Sequence, residues 1–232
     1  MQNVTCSVQA LEEMADTLWY VRLKPEVPVD FLPGQYLLVV MAEDDKRPFS
    51  IANTMNDEGI VELHIGATPD NTYAMQVLKR MQDLGEIEVQ LPAGKAHLRE
   101  DAHRPVILMA GGTGFAYTRS ILKQLIADDF KQPIFLYWGV RHTEHLYADQ
   151  EMNAWAQEHE TLTYIPVVQT GGDDWQGRTG LVHEAIMEDF VSLSDYDVYI
   201  AGRFEMAGVA REAFKEKGIE PEQLFGDAYE FI

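Results

Sequence analysis

Two hydrophobic periods divide the chain. From Val4 to Leu91 the apolar positions alternate or fall in short β-rich runs: Val4, Cys6 and Val8, then Leu18 to Leu23, Gln35 to Met41, Arg47 to Asn53, Ile60 to Gly66 and Glu86 to Leu91. Pro, Gly, Asn and Asp separate them. Strands at this spacing predict an antiparallel barrel or sandwich. One helical stretch interrupts them, Asn71 to Met81, in which Asn71 is the N-cap and Ala74, Val77, Leu78 and Met81 form an apolar stripe. Its capped end is a candidate phosphate seat.

After the polar joint Leu98 to Pro105 the period changes. Strand-like Val106 to Ala110, Ile134 to Gly139, Leu162 to Val168 and Asp197 to Ala201 alternate with helical Phe115 to Ala127, Glu144 to Glu158, Gly180 to Asp189 and Phe204 to Lys217. This alternation predicts a parallel α/β sheet, ending in a short strand near Gln223 to Phe225. The expected domains are 1–98 and 99–232. If the sheet winds both ways from its first strand, its fourth strand lies beside the first, and ligands bind in the crevice at their carboxyl ends.

The densest chemical signal sits at that crevice. Strand-like Val106 to Ala110 runs into Gly111, Gly112, Thr113 and Gly114, and an amphipathic helix follows with Phe115, Ile121, Leu122, Leu125 and Ile126 on one face. Glycines at a strand-to-helix turn let a diphosphate approach backbone N–H groups, where the helix dipole favours an anion. Tyr117 stands where a third fingerprint glycine would be, and no Walker-type lysine follows. A tight turn without ligand is the competing reading. The fourth strand ends in Ala201-Gly202-Arg203, so both strands put glycine at one lip. Arg141, after the second strand, is placed to read an adenosine ribose or its phosphate, unless it is a solvated loop arginine.

In the first half the informative segment is Arg47-Pro48-Phe49-Ser50, after the acidic turn Glu43-Asp44-Asp45. Pro48 stiffens the backbone, so a cation and a hydroxyl are expected to aim the same way. A surface pair of Arg47 with Asp44 or Asp45 is the plain alternative.

Composition narrows the partners. There are 18 Lys and Arg against 38 Asp and Glu, a net charge of −20, which argues against nucleic acid or an anionic membrane. An anionic cofactor must therefore be held by local cations and backbone amides. The one cysteine, Cys6, leaves no intramolecular disulfide, four-cysteine cluster or C-x-x-C pair. With no signal-peptide pattern and no apolar run near the roughly 18 residues of a spanning helix, a cytoplasmic location is expected. His142 and His145 make an H-x-x-H, and His97 and His103 flank the joint, but neither set has a third ligand at usual spacing, so no metal site is expected.

RPFSIAN at Arg47, LMAGGTGF at Leu108, IFLYWGV at Ile134, YIAGRFEMA at Tyr199 and the tail LFGDAYEFI at Leu224 together resemble the NAD(P)H-flavin oxidoreductases of the ferredoxin–NADP reductase superfamily, and the luciferase-associated flavin reductases. The resemblance runs nearly end to end. It implies a two-domain fold, an N-terminal six-stranded antiparallel β-barrel for flavin and a C-terminal α/β doubly wound parallel sheet for pyridine nucleotide. It implies that Arg47, Pro48, Phe49 and Ser50 line the flavin, with the Ser50 hydroxyl at N5 as the catalytic group, and that Tyr36, His64, Ile65, Tyr73 and Phe231 complete the flavin site. For Tyr36, Tyr73, Tyr229 and Phe231, core packing is the alternative. The nucleotide site carries over to Gly111, Gly112, Thr113, Gly114, Phe115, Arg141, Gly202, Arg203 and Phe204. Ala201-Gly202-Arg203 departs from the superfamily's Cys-Gly-Pro, which puts the cysteine's nicotinamide contact in doubt.

The activity implied is hydride transfer from NADH or NADPH to a weakly bound, diffusible FMN, FAD or riboflavin, within about 3 to 3.5 Å. Reduced flavin then goes to flavin-dependent monooxygenases or ferric complexes. Two alternatives stand beside it: a tight flavoprotein that passes electrons to a protein partner, and a nucleotide-binding module without turnover. Between Gly66 and Glu86 there is room for one helix and little to clamp the adenosine half of FAD, which favours the diffusible flavin.

Overall fold

The computed structural model describes residues 1–232 apart from 56, 57, 69 and 173. Two compact units emerge. One is Met1–Leu98 with Arg119–Gln124, the other Arg99–Thr118 with Leu125–Ile232. The middle of the helix after the glycine turn thus groups with the first unit, whereas the sequence reading assigned that helix wholly to the second.

The first unit is a six-stranded antiparallel sheet of β1 (Gln2–Ala15), β2 (Leu18–Pro25), β3 (Tyr36–Ala42), β4 (Asp45–Ser50), β5 (Val61–Gly66) and β6 (Glu86–Ala93), in the order β4-β3-β6-β1-β2-β5. It closes into a barrel through one bridge, Ile51 to Leu63. The expected strand Arg47 to Asn53 is in fact split. Up to Ser50 it pairs with β3, and beyond it the chain changes partner: Ala52 N–H donates to the Glu62 carbonyl at 2.8 Å. The buried Asn53 side chain then stands in for ladder groups, accepting from Glu62 N–H at 2.9 Å and donating to the Ile60 carbonyl at 2.8 Å. Residues on the barrel's inner face, among them Val21, Leu23, Leu37, Val39, Leu63 and Val89, are fully buried.

Helix α1 (Thr72–Leu84) covers part of that core. Asn71 Oδ1 caps it by accepting from Ala74 N–H at 3.2 Å. Gly85, left-handed at φ 68°, ends it by donating to the Met81 carbonyl. Its buried residues are Ala74, Val77, Leu78 and Met81, the stripe read from the sequence. Each of the three larger ones contributes about 1.5 to 3 kcal/mol by leaving water.

The second unit is a parallel sheet in the order β10-β9-β8-β7-β11-β12. Its strands are β7 (Val106–Gly111), β8 (Ile134–Val140), β9 (Leu162–Val168), β10 (Arg178–Thr179), β11 (Asp197–Ala201) and β12 (Leu224–Phe225). Strand β7 lies between β8 and β11, as the winding rule anticipated. Its helices are α2 (Phe115–Ala127), α3 (Asp149–Glu158), α4 (Val182–Asp189) and α5 (Phe204–Glu216). Helices α4 and α5 pack on the sheet face that carries Ile107, Met109, Tyr137, Val198 and Ile200. Three details depart from the pattern. The two-residue β10 is too short to show a period, α3 starts only after a separate 3₁₀ turn at Thr143–His145, and α2 buries Ala116, Tyr117, Thr118 and Ser120 besides its apolar stripe.

Candidate active site

On β4 the side chains obey the pleat. The register pairs Ser50 with Tyr36, Phe49 with Leu37, Pro48 with Leu38 and Arg47 with Val39. Residues three apart on a strand point to opposite faces, so Arg47 and Ser50 do not aim the same way. This corrects the expectation drawn from Pro48. Arg47 shares the face of the fully buried Val39 and is itself 7% exposed, while Ser50 sits half-buried beside Tyr36 on the other face.

Protein groups hold the Arg47 guanidinium. Nε and Nη2 donate to the two oxygens of Asp45 at 2.8 and 2.5 Å, Nη2 also to Gln76 Oε1 at 2.8 Å, and Nη1 to the Tyr73 carbonyl at 2.6 Å. The Tyr73 ring covers one face with its centroid 4.4 Å from the guanidinium carbon. The hydrogen bond from Arg47 holds the Asp45 carboxyl below the usual carboxylate range, against a small opposing effect of desolvation. The plain alternative, an Arg47–Asp45 pair, is therefore present, though buried on the arginine side and shared with α1. Among the described residues no protein group claims the Ser50 hydroxyl.

Two other expected flavin residues lie in the barrel wall. Ile65 is 1% exposed and belongs to the core. The His64 ring is buried, tilted against Tyr20 with centroids 6.0 Å apart. Burial, with Arg119 and Lys123 adding to it, pushes its pKa down to about 3, so the ring is neutral near pH 7. Tyr73 and Phe231 are exposed, which removes core packing as their role. Phe231 stacks on Phe204, which is also exposed, with centroids 5.9 Å apart.

In the second unit the glycines have separate reasons. A Cβ on Gly114 would collide with the Ala201 carbonyl, so the turn after β7 meets the end of β11 only because Gly114 lacks a side chain, whereas one on Gly202 would meet the flexible end of the Met206 side chain. Gly112 differs. It is left-handed at φ 54°, exposed, and a Cβ there would enter open space. An exposed glycine with open space in place of a side chain leaves the backbone accessible to an anion such as a diphosphate. Thr113 is exposed beside it. Phe115, by contrast, is fully buried and stacks on Trp138 with centroids 4.0 Å apart, so its ring serves the core. Arg141 and Arg203 follow the ends of β8 and β11, either side of β7, and among the described residues neither side chain has an ion-pair partner. In a chain of net charge −20, two uncommitted cations beside the cradle supply the local positive charge an anion needs.

The sequence of the oxidoreductase NAD-binding domain family matches residues 108–212, the span that carries this turn. An NAD(P)H-flavin reductase of Vibrio harveyi is 48% identical over 236 residues, covering 99% of this chain and 100% of that protein. Another, from Aliivibrio fischeri, is 50% identical over 235 residues and 99% of each chain. The chain belongs to the NAD(P)H-flavin reductases. It is accordingly an oxidoreductase of NAD(P)H and flavin. The fold agrees: an Amycolatopsis cytochrome P450 reductase, 27% identical, superposes with a TM-score of 0.88 over 97% of this chain and 69% of its own.

Some partners of the candidate site residues were not legible in the sequence. Asp45 and Gln76, which occupy Arg47, lie 2 and 29 positions from it, and only the first was in view. Trp138 donates its indole N–H to the Gly112 carbonyl at 2.9 Å from 26 positions away. The motif IFLYWGV contains Trp138, but a buried strand residue gives no local sign of which carbonyl it reaches. Among the described residues no cluster of metal-ligating side chains occurs, and no helix is long and apolar enough to cross a membrane.

Proposed function

We propose that this flavin reductase reduces a diffusible flavin, FMN, FAD or riboflavin, with the first unit holding flavin and the second holding NADH or NADPH. When both are bound, the nicotinamide supplies a hydride and flavin N5 accepts it. On the flavin side, the observation that carries the reading is the unclaimed Ser50 hydroxyl, half-buried beside Tyr36. Placed at N5, it offers a hydrogen bond where bonding changes during the reaction. On the nucleotide side, the Gly112 cradle and the backbone at Thr113 fit a diphosphate, with Arg141 and Arg203 as its cations. Gly111, Gly114 and Gly202 let the two strand ends approach each other, with Phe204 opening α5 beside them.

Weak flavin binding is supported by what Arg47 does. With its N–H groups given to Asp45, Gln76 and Tyr73, it has little left for a flavin phosphate, and it holds the start of α1 to β4. Within the segment from Gly66 to Glu86, Thr72–Leu84 form α1. Pro48, Phe49, Tyr73, His64 and the backbone at Ile65 then shape the site rather than bind charge, and Phe231 is a further exposed aromatic, in the second unit. A cytoplasmic setting and transfer of reduced flavin to monooxygenases or ferric complexes complete this reading.

The test is the visible spectrum of the purified protein together with NADH and NADPH oxidation with and without added flavin. The expected outcome is a nearly colourless protein whose oxidation rate depends on added flavin. Stoichiometric flavin that survives gel filtration would point instead to a tight flavoprotein.

A further inference from the structure

The turn is exposed at Gly112 and Thr113, and apart from its chain neighbours no atom of the described residues lies within 4 Å of where a Gly112 side chain would begin. Such a turn needs another constraint to keep one conformation, and Trp138 is placed to supply it. The Gly112 carbonyl accepts two hydrogen bonds, one from Phe115 N–H within the 3₁₀ turn and one from the Trp138 indole at 2.9 Å. The peptide from Gly112 to Thr113 is planar and trans, so a carbonyl turned toward Trp138 sends the Thr113 N–H the opposite way.

Trp138 is itself closely packed. It is fully buried in β8, paired with Ala110 of β7, stacked on Phe115 at 13° and met edge-on by Tyr147, with centroids 4.9 Å apart. Its single N–H has the Gly112 carbonyl as its acceptor, and rotating the Gly112 peptide would leave a buried donor unmet, which is costly. We infer that Trp138 is a positioning residue for the pyridine nucleotide: its indole N–H fixes the Gly112 carbonyl and thereby aims the Thr113 N–H at the nucleotide diphosphate. This rests on the reading of the turn as the nucleotide seat. Because the diphosphate is common to NADH and NADPH, the indole acts on both equally.

The test replaces the N–H without changing the shape. Trp138→Phe keeps a ring against Phe115, and benzothienylalanine introduced at position 138 puts sulfur where the N–H was, for the case in which the phenylalanine variant misfolds. Dissociation constants of NAD⁺ and NADP⁺ are measured by calorimetry on the full chain, with KM for NADH, NADPH and flavin, kcat, and hydrogen exchange at the Thr113 amide. The expected result is a 5- to 20-fold weaker affinity for both nucleotides, faster Thr113 exchange, and kcat and flavin KM within twofold of wild type. Nucleotide affinities within twofold of wild type in a folded variant would overturn the inference, as would an equal loss for nucleotide and flavin. Gly112→Val, run in parallel, separates the two layers of the argument. If it leaves nucleotide affinity intact, the reading of the turn is wrong; if it weakens affinity and the Trp138 variants do not, only the role of Trp138 is wrong.

Discussion

On β4 the candidate reacting group is a side chain aimed by a pleat, whereas at the end of β7 the candidate seat is backbone left bare by glycine. The first depends on register. Shifting β4 by one residue against β3 would turn Ser50 inward and bring Arg47 out, exchanging hydroxyl for cation on the open face. The second depends on what is missing, since Gly114 fits against the Ala201 backbone only without a Cβ and Gly112 keeps a space open. Charge divides the same way. On the barrel side Arg47 is neutralised by Asp45, while Arg141 and Arg203, after the ends of β8 and β11, have no ion-pair partner among the described residues. A side-chain site is therefore expected to fail in rate, and a backbone site in affinity or in folding.

The sharpest break is at Gly114. Valine there would press into the Ala201 carbonyl carbon, 2.5 Å from an ideal Cβ, and the Gly202 nitrogen at 2.9 Å, and neither backbone atom can rotate aside. Overpacking of this kind costs about 3 kcal/mol or more, lowering the melting temperature by roughly 6 to 12 °C and removing nucleotide-dependent turnover. Calorimetric melting checks it, and a wild-type melting temperature would contradict the close approach of the two strand ends.

Ser50→Ala tests the other region with the fold left intact. Loss of a hydrogen bond made mainly in the transition state, worth about 1.5 to 3 kcal/mol, slows hydride transfer by roughly 10- to 100-fold. Flavin binding changes less, and Ser50→Thr keeps more activity than alanine. Unchanged stopped-flow transfer at saturating flavin would make Ser50 a structural strand residue.

Gly112→Val is expected to do the reverse. Apart from its chain neighbours, no atom of the described residues lies within 4 Å of a Cβ there, so the protein folds with a left-handed backbone penalty of about 1 to 2 kcal/mol, and the branched side chain takes up the open space beside the turn. The NADH and NADPH KM values rise about tenfold while flavin binding persists. Equal losses on both sides would dissolve the comparison between the regions.

The smallest effect is confined to acid. His64 has a folded pKa depressed to about 3 by burial, then by Arg119 and Lys123, against about 6.5 when unfolded. The unfolded chain binds the extra proton, so stability is complete above pH 6.5 and is lost as pH falls toward 3. At pH 5 the loss amounts to about 1 to 2 kcal/mol. Urea titrations of wild type and His64→Gln at pH 7 and 5 measure it, and the variant should lose less between the two. Equal slopes would mean that His64 is protonated in the folded barrel.

Much of this was legible from local pattern. The stripe of α1, its Asn71 cap and the strand, turn and helix from Val106 onward are set by residues within one or two turns of each other, and hydrophobic period reports such neighbours directly. The order of β7, β8 and β11 followed from a general winding rule. The pleat's own period also placed Arg47 and Ser50 on opposite faces, a consequence obscured by attention to Pro48. What only the tertiary structure decided are the partnerships across sequence: the change of strand partner at Ile51, the hold of Gln76 and Tyr73 on Arg47, the fit of Gly114 against Ala201, and the bond from Trp138 to Gly112. The reason is physical. Period records which face of an element is buried, but not which donor from a distant strand meets which carbonyl, because that choice is made by packing after the elements have formed.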